Sequence, residues 1–187
     1  VDDLEFHELD ARLLKRIEET WTEQIESMPA EKADVFWPML ERQLSWWKGY
    51  ADPGTENGDW RLYVVTTKDG SGGHDIPVAV VDMTDAHKSK DPSLKLLDFN
   101  LQPILLFQLE EEVDSNTIGG AIHIIGFAIV SAMNLAYQNG VRKFKIYGRS
   151  PELLNMFDSL VATAGDWGEY QVYRQYKWLV IESSGGN

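Results

Sequence analysis

From Asn100 through Val141 the chain carries no lysine or arginine. Within that stretch Ile118 to Ala136 is an almost unbroken apolar run, interrupted only by His123, Ser131, Asn134 and the glycines Gly119, Gly120 and Gly126. The run approaches the ~20 residues that a membrane-spanning helix needs, but a helix apolar on all sides also fits the centre of a domain. The polar interruptions, and the lack of Lys or Arg flanking its N-terminal end, favour the domain centre. The expectation is a central helix of about 118–139 with Gly140 at its C′ position. It should be nearly inaccessible, with Ile122, Ile125, Ile129, Met133 and Ala136 against a sheet and Phe127 or Val130 under other elements.

Around this helix the periodicity changes from element to element. Leu4 to Leu9 alternates apolar and polar, the period of a half-buried strand. From the N-cap candidate Asp10, the residues Leu13, Leu14, Ile17, Trp21 and Ile25 recur at helical spacing until Pro29. A second helix over about 30–50 carries Phe36, Trp37, Leu40, Leu44 and Trp47, with Pro38 placed in its early turns. Of Trp46 and Trp47, one ring is expected in the core and the other at a surface or homodimer contact. After the turn-rich Asp52–Asp59 connector, Trp60–Thr67 and Ile76–Thr84 read as an antiparallel pair joined by the Gly-rich loop 68–75. Leu94–Leu101 reads as a strand that Pro103 stops or bends, because proline lacks the ladder donor. Ile104–Leu109 fits either a continued strand or the start of a loop. Beyond the central helix come the strand Lys143–Tyr147, a helix opened by Ser150 and Pro151, and the strands Glu169–Tyr173 and Lys177–Glu182.

This order implies an α/β fold with one mixed, mainly antiparallel central sheet flanked by helices. At 187 residues the chain suits a single domain, here 1–182, followed by a polar tail at 183–187. The 43% hydrophobic content supports a sizeable core. A net charge of −13 and an isoelectric point near 4.6 disfavour nucleic acid or an anionic membrane as the main partner. With no cysteine, disulfides, thiolate nucleophiles and Cys-based metal sites are excluded. His7, His74, His87 and His123 lack metal-ligand spacing, so no metal is expected, and no Gly-x-Ser-x-Gly elbow anchors a serine hydrolase. No secretory leader is recognisable at Val1–Leu4, which gives a cytoplasmic expectation.

The element order, with a proline closing the fourth strand and a long helix behind it, resembles the GCN5-related N-acetyltransferase (GNAT) family, whose members transfer an acyl group from acyl-coenzyme A to an amine. Leu96-Leu-Asp-Phe-Asn-Leu-Gln-Pro103 is similar to that family's splayed fourth strand. The resemblance implies that backbone groups of Phe99, Asn100 and Leu101 hold the pantetheine arm of acetyl-CoA or another acyl-CoA. Asn116-Thr-Ile-Gly119-Gly120-Ala121 resembles the family's pyrophosphate loop, with Asn116 in the place of a basic residue or Gln, and a second register at His123–Ala128 fits loosely. On the same resemblance Asp98 and Glu112 are the candidate bases. Tyr147 is the candidate acid, because Phe157 stands where the family's tyrosine protonates the departing thiolate and a phenyl ring cannot donate.

The acceptor implied is a small-molecule or cationic amine, which an acidic surface attracts. The alternative is a binding or regulatory module that keeps the fold without turnover. Glu110, Glu111, Glu112 and Asp114 precede the candidate phosphate loop and oppose the phosphates, so acetyl-CoA is expected to bind weakly or not at all at physiological salt. Lys88, Lys90, Lys95, Arg142, Lys143, Lys145 and Arg149 are the cations available to fold back toward it.

Overall fold

The computed structural model describes residues 4–68, 75–111, 115–163 and 170–184. Its elements in chain order are β1 (Leu4–Glu8), α1 (Ala11–Glu26), α2 (Ala30–Ala51), β2 (Trp60–Lys68), β3 (Asp75–Ala86), β4 (Ser93–Leu101), α3 (Pro103–Glu111), α4 (Ser115–Gln138), β5 (Lys143–Tyr147), α5 (Pro151–Thr163), β6 (Tyr170–Gln175) and β7 (Trp178–Ser183). The strands form one seven-stranded sheet in the order β1-β2-β3-β4-β5-β7-β6. The pairs β1:β2, β5:β7 and β6:β7 are antiparallel, whereas β4:β5 is parallel, as the α4 crossover between them requires. The fold is therefore the mixed, mainly antiparallel α/β sheet expected. Ile104–Leu109, open between strand and loop in the sequence, is helical as part of α3: Pro103 occupies its first turn, where a missing N–H costs nothing. The 68–75 loop lies largely outside the described residues, as does most of the tail.

By compactness the chain divides into two units, 1–81 with 99–129, and 82–98 with 130–187. In the first, Asp10 caps α1 by accepting from Leu13 N at 2.7 Å, which orients the helix so that Leu13, Ile17, Trp21 and Ile25 are all buried. They meet Phe36, Leu40, Leu44 and Trp47 of α2. Trp21 is 1% exposed, packs edge-on to Trp47 at 5.6 Å and donates its indole N–H to Pro77 O at 3.0 Å. Trp46 is the outward member of the tryptophan pair, 59% exposed, its ring tilted against Trp60 at 4.9 Å. Pro38 sits well inside α2 rather than in its early turns. Burial of Phe36, Leu40 and Leu44 on both sides of it offsets the hydrogen bond it removes.

In the second unit a two-lysine clasp fixes the turn before β4. Asp91 accepts from Lys143 Nζ at 2.6 Å and from Lys145 Nζ at 2.7 Å, and Lys145 is only 7% exposed. These two hydrogen bonds hold the Asp91 carboxyl at about 2, well below the ordinary carboxylate range. A carboxylate whose pKa falls on folding adds stability that is complete above its unfolded pKa of about 3.9 and is lost as pH drops toward the folded value. Asp91→Asn should cost about 1 kcal/mol at pH 7, because the carboxylate is half exposed and screened. Urea titrations across pH should show the gap from wild type closing between about pH 4 and about pH 2.

α4 departs from expectation in two ways. It begins at Ser115, not at 118, and it is not inaccessible. Its inward line is Ala121, Ile124, Ala128, Ala132 and Ala136, all buried, whereas Ile122 is 63% and Val130 56% exposed. Ile125, Phe127, Ile129 and Met133 are only half-buried. The inward positions are mostly alanines because a helix approaches its neighbours closely only through small side chains. Apart from Ile124, the large β-branched residues of the helix are left to the flanks and the outer face. By length and composition alone α4 could cross a bilayer, a property that the apolar helices of compact domains share.

Candidate functional site

β4 and β5 run side by side for only three residue pairs, Leu94↔Phe144, Lys95↔Lys145 and Leu96↔Ile146, and the register stops there. β4 nevertheless continues to Leu101, and β5 continues to Tyr147, which pairs with Trp178 on its other side. Past Leu96↔Ile146 the two strands are no longer in register with each other. Asp98 lies just past the divergence. Its carboxylate is 30% exposed and receives Arg149 Nη1 at 3.0 Å. Tyr147 closes β5 with its ring 4.9 Å from that of Trp178.

The chain reaches Arg149 by a forced route. Gly148 follows Tyr147 and donates its N–H to Lys177 O at 2.7 Å. A Cβ on Gly148 would lie 2.5 Å from Leu154 Cδ2 and 2.9 Å from Phe157 Cε2, so the side chains of α5 pack directly onto this glycine and would have to shift for any larger residue. Ser150 then caps α5, its Oγ accepting from Leu153 N at 3.3 Å. Arg149 is pinned between a glycine turn and a helix cap, yet its side chain stays 60% exposed, leaving donors of the guanidinium for a ligand. Phe157 is 1% exposed and packed beneath Gly148, so it serves the core and supplies no proton.

Asn100, one of the three residues assigned to the pantetheine arm, accepts from Gln43 Nε2 of α2 at 2.7 Å through its side-chain oxygen. The Gln43 carbonyl oxygen is itself buried without a hydrogen-bond donor. A buried acceptor of this kind is completed by an N–H from a ligand or by water. Gln43 carries no motif in the sequence; its only signal is a polar residue among the apolar positions of α2. Leu101 is buried and Phe99 half-buried on β4.

The residues that the resemblance assigns to the phosphates are placed differently from expectation. Asn116, Gly119, Gly120 and Ala121 lie inside the first turns of α4 rather than in a loop that opens it, and the alternative register at 123–128 is helical too. From Gly119 onward the N–H groups fall within the helix's own ladder. A Cβ on Gly119 or Gly120 would meet nothing within 4 Å, so neither glycine answers a packing need. Glu112 and Asp114 fall outside the described residues. Glu111 and Glu110 are drawn to Lys32 Nζ at 2.6 and 3.7 Å, a pairing that no pattern in the sequence announces. Of the candidate cations, Lys143 and Lys145 are committed to Asp91, Lys95 lies on β4 opposite Lys145, and Arg149 pairs with Asp98 just past the end of the register. Among the described residues no cluster of His, Asp or Glu could hold a metal ion.

No family model matches the chain, and no curated protein matches it significantly. Among solved structures it is similar to AtaTR bound with AcCoA, with a TM-score of 0.48 and 11% identity over 98% of this chain and 96% of that one. It is similar also to AAC(6')-Iy in complex with a CoA-containing bisubstrate analogue, with a TM-score of 0.44 and 11% identity over 93% and 98%. The KacTA–DNA complex is matched with a TM-score of 0.43 and 9% identity over 77% and 80%.

Proposed function

We propose that this chain is a divergent GNAT-class protein that takes an acyl-CoA along the diverging part of β4 and passes its acyl group to the amine of a small molecule or cationic protein. The observation that carries the reading is the early end of the β4:β5 register at Leu96↔Ile146. The reading assigns the pantetheine arm to β4 past that point, at Phe99, Asn100 and Leu101. The orphaned Gln43 oxygen beside Asn100 fits a ligand N–H. The phosphate end fits less well, since no loop and no lysine or arginine of the 100–141 stretch meets it.

In the reaction the amine nitrogen bonds to the thioester carbonyl carbon, the C–S bond breaks, and the thiolate takes a proton while the amine loses one. Tyr147 is the hydroxyl proposed to supply the thiolate's proton. Asp98, held by Arg149, is proposed to orient that arginine toward the carbonyl oxygen or a phosphate rather than to act as a free base. Glu112 keeps its proposed part as base to the amine.

Isothermal titration with acetyl-CoA, paired with a thiol-release assay, tests the reading. The chain has no cysteine, so thiol reagents report only released CoA. Binding should be weak at physiological salt, with a dissociation constant above about 100 µM, and Arg149→Ala should weaken it about tenfold. Glu110→Gln with Glu111→Gln should tighten it only a few-fold, because Lys32 already offsets part of their charge. The second reading, a non-catalytic module, is favoured by the burial of Phe157 where a leaving-group acid is expected. Binding with no thiol release for any amine would select it. Absence of binding at low salt would overturn the acyl-transfer reading and leave the module with an eroded CoA site.

A further inference from the structure

The charge of the chain is divided unevenly along its sequence. The first unit has eight basic against twenty-one acidic residues and so holds the whole net charge of −13, whereas the second has nine of each. Five of those nine cations are lysines that gather about one turn. Lys88 and Lys90 lie in the exposed turn 87–92 between β3 and β4, Lys95 follows on β4, and Lys143 and Lys145 lie on β5. Lys95 stands directly opposite Lys145, and alternation along β5 puts Lys143 on the same face. Like charges directly opposed across two strands repel, so a face built this way is stabilised by an anion. The chain supplies one from within. Asp91, near the end of the turn, accepts from Lys143 Nζ at 2.6 Å on one carboxylate oxygen and from Lys145 Nζ at 2.7 Å on the other, and its side chain stays half exposed. Glu182 adds a longer contact to Lys143 at 3.6 Å while accepting from Tyr173 Oη at 2.9 Å. Lys88, Lys90 and Lys95 form no ion pair among the described residues. Ser93, two residues before Lys95 and therefore on its face of β4, is 0% exposed, and its Oγ has no hydrogen-bond partner among the described residues.

We propose that Lys95, Lys143 and Lys145 form a binding site for the phosphate monoester group of a small ligand, which Asp91 fills as a tethered carboxylate until the ligand displaces it. The positions of its two oxygens show that this face already takes anionic oxygens at hydrogen-bond distance from two ammonium groups. A single carboxylate leaves the third lysine and the Ser93 hydroxyl unanswered. A phosphate monoester carries up to twice the charge and has three strong acceptor oxygens, enough for three ammonium groups at once, with Ser93 as a further donor. Lysine suits such an exchange, because its ammonium is a point charge on a flexible stem and follows either anion. The turn that carries Asp91 is exposed at every residue from 87 to 92, so the carboxylate has room to leave. Lys145 is only 7% exposed, and its departure from Asp91 without a replacement would strand a buried charge; the incoming anion is that replacement. The site takes no part in the acyl transfer proposed above and stands or falls independently of it.

Titration with inorganic phosphate followed by phosphorus NMR, at an ionic strength held constant with sodium chloride, reads binding directly. The unmodified chain should bind with a dissociation constant on the order of 10 mM, because phosphate competes with Asp91, and Asp91→Asn should bind about tenfold more tightly. Phosphate should also raise the melting temperature of Asp91→Asn while leaving that of the unmodified chain nearly unchanged. Adding Lys145→Gln to Asp91→Asn should abolish the gain. Adding Lys95→Gln instead, which removes a half-buried lysine with no ion pair to break, should weaken binding about fivefold and keeps the test informative if the Lys145 variant fails to fold. Lys48→Gln, which removes a lysine of the first unit paired with Glu18, should leave the gain intact. Acetate should bind Asp91→Asn about tenfold more weakly than phosphate. Equal phosphate affinity with and without Asp91, a gain that survives Lys95→Gln, a gain lost with Lys48→Gln, or acetate binding as tightly as phosphate would each overturn the proposal.

Discussion

Tyr147→Phe should lower the rate of acyl transfer about 100-fold while leaving acetyl-CoA affinity and melting temperature unchanged. General acids contribute about 10²–10⁴ to turnover, and the lower end applies where water can replace the donor. The substitution removes only the hydroxyl. The ring contact with Trp178 at 4.9 Å and the β5:β7 pairing at Tyr147↔Trp178 both persist, so a structural role would leave the rate untouched. Phe157→Tyr is the converse experiment. That position is 1% exposed and pressed against Gly148, so a hydroxyl there is buried, costs about 1–3 kcal/mol without a partner, and brings no gain in rate. If Tyr147→Phe turned over normally, the thiolate would draw its proton from elsewhere, and Tyr147 would lose its assigned part.

The largest effect on stability is expected at Trp21. Its ring is 1% exposed between α1 and α2, edge-on to Trp47, and its indole N–H is the donor that satisfies Pro77 O. Trp21→Ala removes that packing, leaves a cavity and orphans a buried carbonyl, at about 3–5 kcal/mol. For a domain of this size that corresponds to a fall of about 10 °C in melting temperature, measurable by calorimetry. Trp46→Ala is the matched control, the same residue type removed from the opposite side of α2. Trp46 is 59% exposed with its ring set against Trp60, so its loss should cost under about 1 kcal/mol.

Periodicity and end signals determined most of the architecture. Asp10, Ser150 with Pro151, and Gly140 each act through the few residues beside them, so α1, α5 and the end of α4 were legible without any tertiary contact. The short strand Lys143–Tyr147 and the stop at Pro103 were legible for the same reason. The helical state of 104–109 was not, because Ile104–Leu109 is apolar at every position but one and carries neither the period of a strand nor that of a helix.

Only the tertiary structure decided where the apolar surface went and which charges met. Uniform hydrophobicity told α4's length but not its orientation, and packing chose the alanines for its inward line over Ile122 and Val130. Likewise the sequence shows thirty acids and seventeen basic residues but not their pairing. Lys32 reaches Glu111 across 79 positions, and Lys145 reaches Asp91 across 54. The divergence of β4 from β5, on which the candidate site rests, is a relation between strands about 50 residues apart. Local sequence sets what a segment can become; which distant partner completes it depends on the fold that brings the two together.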